Sequence, residues 1–192
     1  MTAQIGDQFR YKGGEYTIVP GNAPMPFDPI DYGIVPAAAC TACWRGYWCV
    51  YNVSEDGVFL ADLYINSADD NYPAICGVFP EKRDEGDYLS YMGHQQYKGL
   101  NIKIPYTGKL LIGDNFIQRY YIHMGFQRPW AYRKLVELVF EKGRLVEVNN
   151  HSRIAAQVRR NEIVEDYYMP KLVSQCIKPK RKIKVWWYYS SD

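Results

Sequence analysis

The stretch on which the fold turns is residues 40–66, CTACWRGYWCVYNVSEDGVFLADLYIN. Two apolar runs, 47–53 and 58–65, stand on either side of Ser54-Glu55-Asp56-Gly57. Apolar runs of strand length around a short polar loop read as a β-hairpin, with Gly57 available where the chain needs a positive φ. In the second run Phe59, Ala61, Leu63 and Ile65 alternate with Val58, Leu60, Asp62 and Tyr64. The first set carries no polar residue and is expected to be the buried face. Asp62 is expected at the rim or in solvent, since lone carboxylates are seldom buried. Directly ahead of the hairpin stands Trp44-Arg45-Gly46-Tyr47, an aromatic–cation–glycine–aromatic cluster.

The flanking sequence extends the same pattern. Residues 7–19, DQFRYKGGEYTIV, read as a hairpin around Lys12-Gly13-Gly14, and residues 135–148 as another around Glu141-Lys142-Gly143-Arg144. Residues 20–36 hold Pro20, Pro24, Pro26, Pro29 and Pro36. Proline this dense lacks sheet donors, so an extended surface loop is expected there. Residues 67–96 are weakly patterned, and 100–104 and 109–112 are short strand candidates around Pro105-Tyr106-Thr107-Gly108. The run FIQRYYIHM, 116–124, reads as a further strand ended by Gly125. Ser152 is the expected N-cap of a helix from Arg153 to about Tyr168, stopped by Pro170. Ile154, Val158 and Ile163 form its thin apolar stripe.

At 192 residues with 47% hydrophobic and 23% charged residues, the chain fits one globular domain, residues 1–192. Tyrosine, at 18, is the outlier, and it serves strand faces and recognition surfaces alike. A net charge of +2 gives no field that selects nucleic acid or anionic lipid. The first residues, Met-Thr-Ala-Gln-Ile-Gly-Asp, lack the charged and apolar regions of a signal peptide, and no apolar run is long enough to span a membrane. A cytoplasmic protein with free thiols is therefore expected.

Two pieces together resemble a group of uncharacterised bacterial proteins. One is ACWRGYWCVYNV…GVFLADLYI, 42–65; the other is GKLLIGDNFIQRYYIHMGF, 108–126, followed by the EKGRL hairpin. Trp44-Arg45-Gly46-Tyr47 and Tyr121-Ile122-His123-Met124-Gly125-Phe126 carry the resemblance, which covers roughly the middle half of the chain. It implies a shared fold with a shared pocket or surface around those motifs, and no activity. Cys40 and Cys43 are not part of the group's pattern.

Cys40-x-x-Cys43, with Cys49 six residues on, has the spacing of half a zinc site, but no second knuckle follows. Ordinary buried thiols are the expectation, with no metal and no cofactor. Arg45 between its aromatics has the chemistry to hold an anion or a partner carboxylate. His123 has the chemistry of a base, but no nucleophile or orienting acid stands at a recognisable spacing. The acidic loop 54–57 lacks the ligand count of a calcium site. No Walker A, GxGxxG, HExxH or GxSxG motif occurs. The tail 178–192 places Lys178, Lys180, Arg181, Lys182 and Lys184 before Val-Trp-Trp-Tyr-Tyr; it reads as a final strand, and any nucleic-acid contact is assigned to it.

The expected fold is α+β and β-rich: an antiparallel sheet or partly closed barrel of about three hairpins, with one C-terminal helix packed on it. The expected function is a non-enzymatic binding protein of the immunity or defence-associated kind, acting by occupying a protein partner through Trp44, Arg45, Tyr47, Tyr121 and His123. Two alternatives stand beside it. One is sequestration of a small anionic ligand such as a nucleotide; the other is a hydrolase or transferase built on His123 and Arg45. No residue is assigned as catalytic or as a metal ligand.

Overall fold

The computed structural model describes residues 2–20, 25–83 and 94–160. The expected helix beyond residue 160, its stop at Pro170 and the tail strand 178–192 lie outside the described residues. Ten strands form one sheet: β1 (Gln8–Tyr11), β2 (Gly14–Val19), β3 (Tyr47–Ser54), β4 (Gly57–Ile65), β5 (Glu81–Lys82), β6 (Gln95–Tyr97), β7 (Ile102–Ile104), β8 (Gly108–Phe116), β9 (Tyr132–Glu141) and β10 (Arg144–Asn150). Their order is β10-β9-β8-β2-β1-β3-β4-β6-β5, with β7 also on β4. The sheet is antiparallel except between β1 and β3, and it does not close. Helix α1 (Ser152–Arg160) packs on β9.

All three expected hairpins form. In β1–β2 and β9–β10 the turns are Lys12-Gly13 and Lys142-Gly143, with φ of 48° and 73° and of 49° and 75°. Two successive positive φ values are what a two-residue hairpin of matching twist requires, and glycine takes the second at no steric cost. Tyr47, Cys49, Tyr51 and Val53 of β3 all face the main core. On β4 the residues that join the main core are Val58 and Leu60, then Leu63 and Ile65, while Ala61 is buried outside it. The register shifts between Val50↔Asp62 and Tyr51↔Leu60, which leaves Ala61 as an extra residue, a β-bulge. The bulge reverses the pleat, so the uniform face of Phe59, Ala61, Leu63 and Ile65 is corrected: Phe59 is only half-buried and Val58 and Leu60 replace it.

Three other expectations are corrected. The run 116–124 is not a strand: β8 ends at Phe116, opposite Tyr132, and a 3₁₀ turn follows at Gln118–Tyr120. Its partner strand begins only after Pro129 and a 3₁₀ turn at Pro129–Ala131, so nothing is available to pair with it. The proline-rich loop is more than a connector, for it delivers Phe27 and Ile34 to the core at 3% and 0% exposure. Ser152 does not cap the helix with its hydroxyl, which accepts the Leu135 N–H at 3.0 Å and ties the helix to β9. The first helical N–H, that of Ser152, is instead satisfied by Asn150 just ahead of the helix, whose carboxamide oxygen accepts it at 2.9 Å.

The sheet curls around the main core, and its outer face carries two smaller clusters. Val19, Leu111, Tyr132 and Leu135 lie under Ala155 of α1. Trp48 and Val50 lie under Ile5, Ala39 and Cys43. Where the curl brings β10 near β4, Gly57 (φ 134°) rests on the Gly143 turn so closely that a Cβ there would overlap the Gly143 carbonyl oxygen. Gly57→Ala is therefore expected to cost at least about 1–3 kcal/mol. That is roughly 2–4 °C of melting temperature per kcal/mol in a domain of this size, measurable by thermal unfolding.

Candidate functional site

Asp7 directly precedes β1, and its carboxylate has no exposure to solvent. Oδ1 accepts the Cys49 N–H at 2.9 Å, while both carboxylate oxygens accept from the two terminal nitrogens of Arg45, an ion pair with Nη2 on Oδ1 and Nη1 on Oδ2. The remaining Arg45 nitrogen, Nε, donates to the Tyr47 carbonyl at 3.1 Å, and the guanidinium lies 4.3 Å from the Tyr47 ring centre. Burial opposes the Arg45 charge, but the Asp7 carboxylate outweighs it and raises the guanidinium pKa above its ordinary value. Arg45 side-chain exposure is 25%, so the group is a partly covered tie between the chain before β1 and the chain before β3. Asp7 is the residue that sequence reasoning missed. It stands between Gly6 and Gln8, 38 positions from its partner, and no spacing signals such a pair.

Trp44 and Tyr47, on either side of that arginine, separate. Tyr47 is buried at 7% exposure and donates its hydroxyl to the Phe27 carbonyl at 3.3 Å. Trp44 stands 56% exposed, and its backbone N–H donates to Oε1 of Gln4 at 3.0 Å. The Gln4 backbone N–H donates to the Gly125 carbonyl at 2.8 Å, and Ala3 bridges to Gly125 as a parallel pair. The Ala3 N–H donates to the Tyr121 hydroxyl at 3.4 Å. The amino-terminal segment thus joins the two motifs that lie far apart in sequence. Gln127 clamps the second motif, its carboxamide taking and giving hydrogen bonds of 3.0 Å with the Ile122 backbone. Tyr121, 37% exposed, packs edge-to-face with the exposed His123 at 5.2 Å, and Met124 beside them is 50% exposed.

The site therefore comprises an inner tie, Asp7–Arg45–Tyr47, and an outer face, Trp44, Tyr121, His123 and Met124. His123 touches the Tyr121 ring, and among the described residues no nucleophile or carboxylate contacts it. Cys40 and Cys43 face each other across a tight turn, the Cys43 N–H donating to the Cys40 carbonyl at 3.0 Å. Among the described residues no group of three or more His, Cys, Asp or Glu side chains surrounds a position where a metal would sit. A groove of about 810 Å³ opens where the sheet fails to close, between Tyr11 and Val53 on one side and Leu145 and Val148 on the other. It holds charges of both signs, Lys12, Arg144, Glu55 and Glu147, with no histidine or cysteine among them. A second buried carboxylate, Glu137, binds Lys109 Nζ and Asn149 Nδ2 at 3.1 Å each and joins β8, β9 and β10 across the sheet's outer side.

No protein-family model matches the chain, and comparison with curated proteins and with solved structures finds no match. No described helix is long and apolar enough to cross a membrane.

Because Asp7 is wholly buried, Arg45→Ala is expected to cost about 3–5 kcal/mol, the penalty of leaving that carboxylate without its partner. Asp7→Ala is expected to cost less, because the Arg45 guanidinium it strands is partly exposed to water. The double variant should cost less than the two together by more than about 1 kcal/mol, a coupling readable from urea unfolding of the four proteins. The cysteines give an independent check. Burial pushes the Cys43 thiol up to about 11 and Cys49 well above its ordinary value, whereas Cys76 is exposed. Since the thiolate is the nucleophile, iodoacetamide at pH 8 should label Cys76 in the folded protein and leave Cys43 and Cys49 unmodified by peptide mass spectrometry.

Proposed function

We propose that this is a binding protein without a catalytic centre, which acts by occupying a protein partner in the manner of immunity and defence-associated proteins. The observation that carries the reading is a set of exposed side chains, Trp44 on one motif and Tyr121, His123 and Met124 on the other, on backbone that hydrogen bonds to the amino-terminal segment and Gln127 hold in place. Tryptophan and tyrosine lead among interface residues because they bring large contact area at small entropic cost. A rigid support beneath them lowers the ordering cost of association further. Arg45 serves this reading as support. Its fork is engaged by Asp7, so an anionic ligand or a reacting group would have to compete with that carboxylate.

Expressed in its native host, the protein is expected to recover one partner in stoichiometric amount. Trp44→Ala and Tyr121→Ala should each weaken that complex by about 2 kcal/mol or more, near thirtyfold, if these side chains are the anchors. Trp44→Ala should not move the stability by more than about 0.5 kcal/mol, as is usual for exposed side chains, whereas Tyr121→Ala also gives up its contacts with Ala3 and Phe116, so its binding is compared per folded molecule. Equal recovery by wild type and both variants, or repeated recovery of the bare protein, would remove the reading.

A further inference from the structure

A second surface lies beside this face, where the turn Gln118–Tyr120 meets the turn Pro129–Ala131 and the end of α1. The Ile117 N–H donates to the Ala131 carbonyl at 2.7 Å, and Tyr120 packs into the cluster of Ala131, Tyr132 and Ala155. Arg119 folds over the Tyr120 ring at 4.8 Å and donates to its hydroxyl at 2.9 Å. Arg159 reaches from the last turn of α1 and donates from Nη1 to the Trp130 and Tyr132 carbonyls at 2.9 Å each. That brings it alongside Arg133, with Arg160 next to it in the chain. Four guanidinium groups therefore share one corner of the molecule.

None of Arg119, Arg133, Arg159 and Arg160 makes an ion pair among the described residues. Asp114, the carboxylate on the adjoining part of β8, is taken by Lys134 at 2.9 Å. Arg159 is affected by the crowding: burial first, then Arg133, Arg119 and Arg160, lower its pKa below the ordinary arginine value. Folding alone does not favour four like charges held together, and placing two of them by hydrogen bonds to a ring hydroxyl and to backbone carbonyls keeps them so. Beside them Phe116 and Tyr121 are each 37% exposed, and Phe116 packs edge-to-face on both Tyr121 and Tyr132 at 6.5 and 5.6 Å.

We infer that this corner is a binding site for the phosphate backbone of a single-stranded nucleic acid. The guanidinium forks match phosphate oxygens in a planar, bidentate way. The exposed rings offer flat surfaces on which unpaired bases stack without regard to sequence. A purely acidic peptide would supply charge alone, whereas a nucleic acid strand supplies both the phosphates and the unpaired bases for the rings. The site shares no residue with the tail 178–192, where the basic residues of the sequence are densest.

The test is binding of the full-length chain to a fluorescein-labelled oligodeoxythymidylate of about twelve nucleotides, followed by anisotropy as salt is raised. Three or four arginines neutralising phosphates give a slope of log K against log salt of about −2 to −3, a loss of roughly 15- to 60-fold between 50 and 200 mM. Arg119→Gln, Arg133→Gln and Arg160→Gln should each flatten the slope by about 0.7, and the triple variant should lose most of the affinity. All three residues are exposed, so the melting temperature of these variants should hold. The triple lysine variant should keep the slope, because it keeps the charge. No binding at 50 mM salt, a triple glutamine variant that binds like wild type, or preference for polyglutamate over the oligonucleotide would each overturn the assignment.

Discussion

The carboxylate of Asp7 stands where three strands must meet. Its backbone carbonyl accepts the Ile18 N–H of β2, its Oδ1 accepts the Cys49 N–H of β3, and both its oxygens hold Arg45, two residues ahead of β3. The pair β1–β3 is parallel, and parallel neighbours have no tight turn to fix their register. A buried ion pair is seldom a net source of stability against an apolar alternative, but it tolerates few other geometries. Here it pins the start of β1 to the start of β3 and joins the amino-terminal hairpin to the central one. Everything beyond β3 in the sheet, and the amino-terminal segment that carries Ala3 and Gln4, is positioned from that point.

The curl of the sheet follows from small departures from regularity. The bulge at Ala61 turns β4 so that one half pairs with β7 and the other with β6, and both halves keep their apolar side toward the core. The contact between Gly57 and Gly143 draws the far side of the curl inward without closing it. A continuous apolar interior results, while the outer side is covered in two places by different means. Helix α1 covers the β8–β9 side, and the segment around Ile5 and Ala39 covers the β3–β4 side. The exposed residues Trp44 and Tyr121 lie on chain between strands, whereas the arginine corner draws Arg119 from a turn, Arg133 from β9 and Arg159 and Arg160 from α1.

Much of the fold was legible because hairpins are local. Lys12-Gly13 and Lys142-Gly143 are separated from their strands by nothing, and the alternation of Phe9 and Tyr11, or of Leu138 and Phe140, declares a buried side over a few residues. The errors came where a partner far away decides the outcome. The run after Phe116 has strand-forming residues but no strand beside it, since Pro129 delays the start of β9. Ser152 has the chemistry of a cap and is used instead as an acceptor for Leu135. Phe27 and Ile34 look like loop residues because prolines surround them, yet the core has room for them.

For the candidate site the division is sharper. Trp44, Arg45, Tyr47, Tyr121 and His123 were all identifiable as unusual from their residue types and neighbours, and the sequence by itself placed the first three at the start of a strand in a β-rich domain, but it wrongly put Tyr121 and His123 within a strand. It did not determine that Arg45 turns inward to Asp7 while Trp44 turns out, nor that Ala3 and Gln4 bind the two motifs together. It likewise spread Arg119, Arg133, Arg159 and Arg160 over 42 positions that only the packing of two short turns against a helix end gathers into one place. Local order is written in periodicity and turn residues, because those act between neighbours along the chain. Which side chains meet across the sheet is set by the ion pair, the bulge and the proline, acting at distances along the chain where periodicity carries no information.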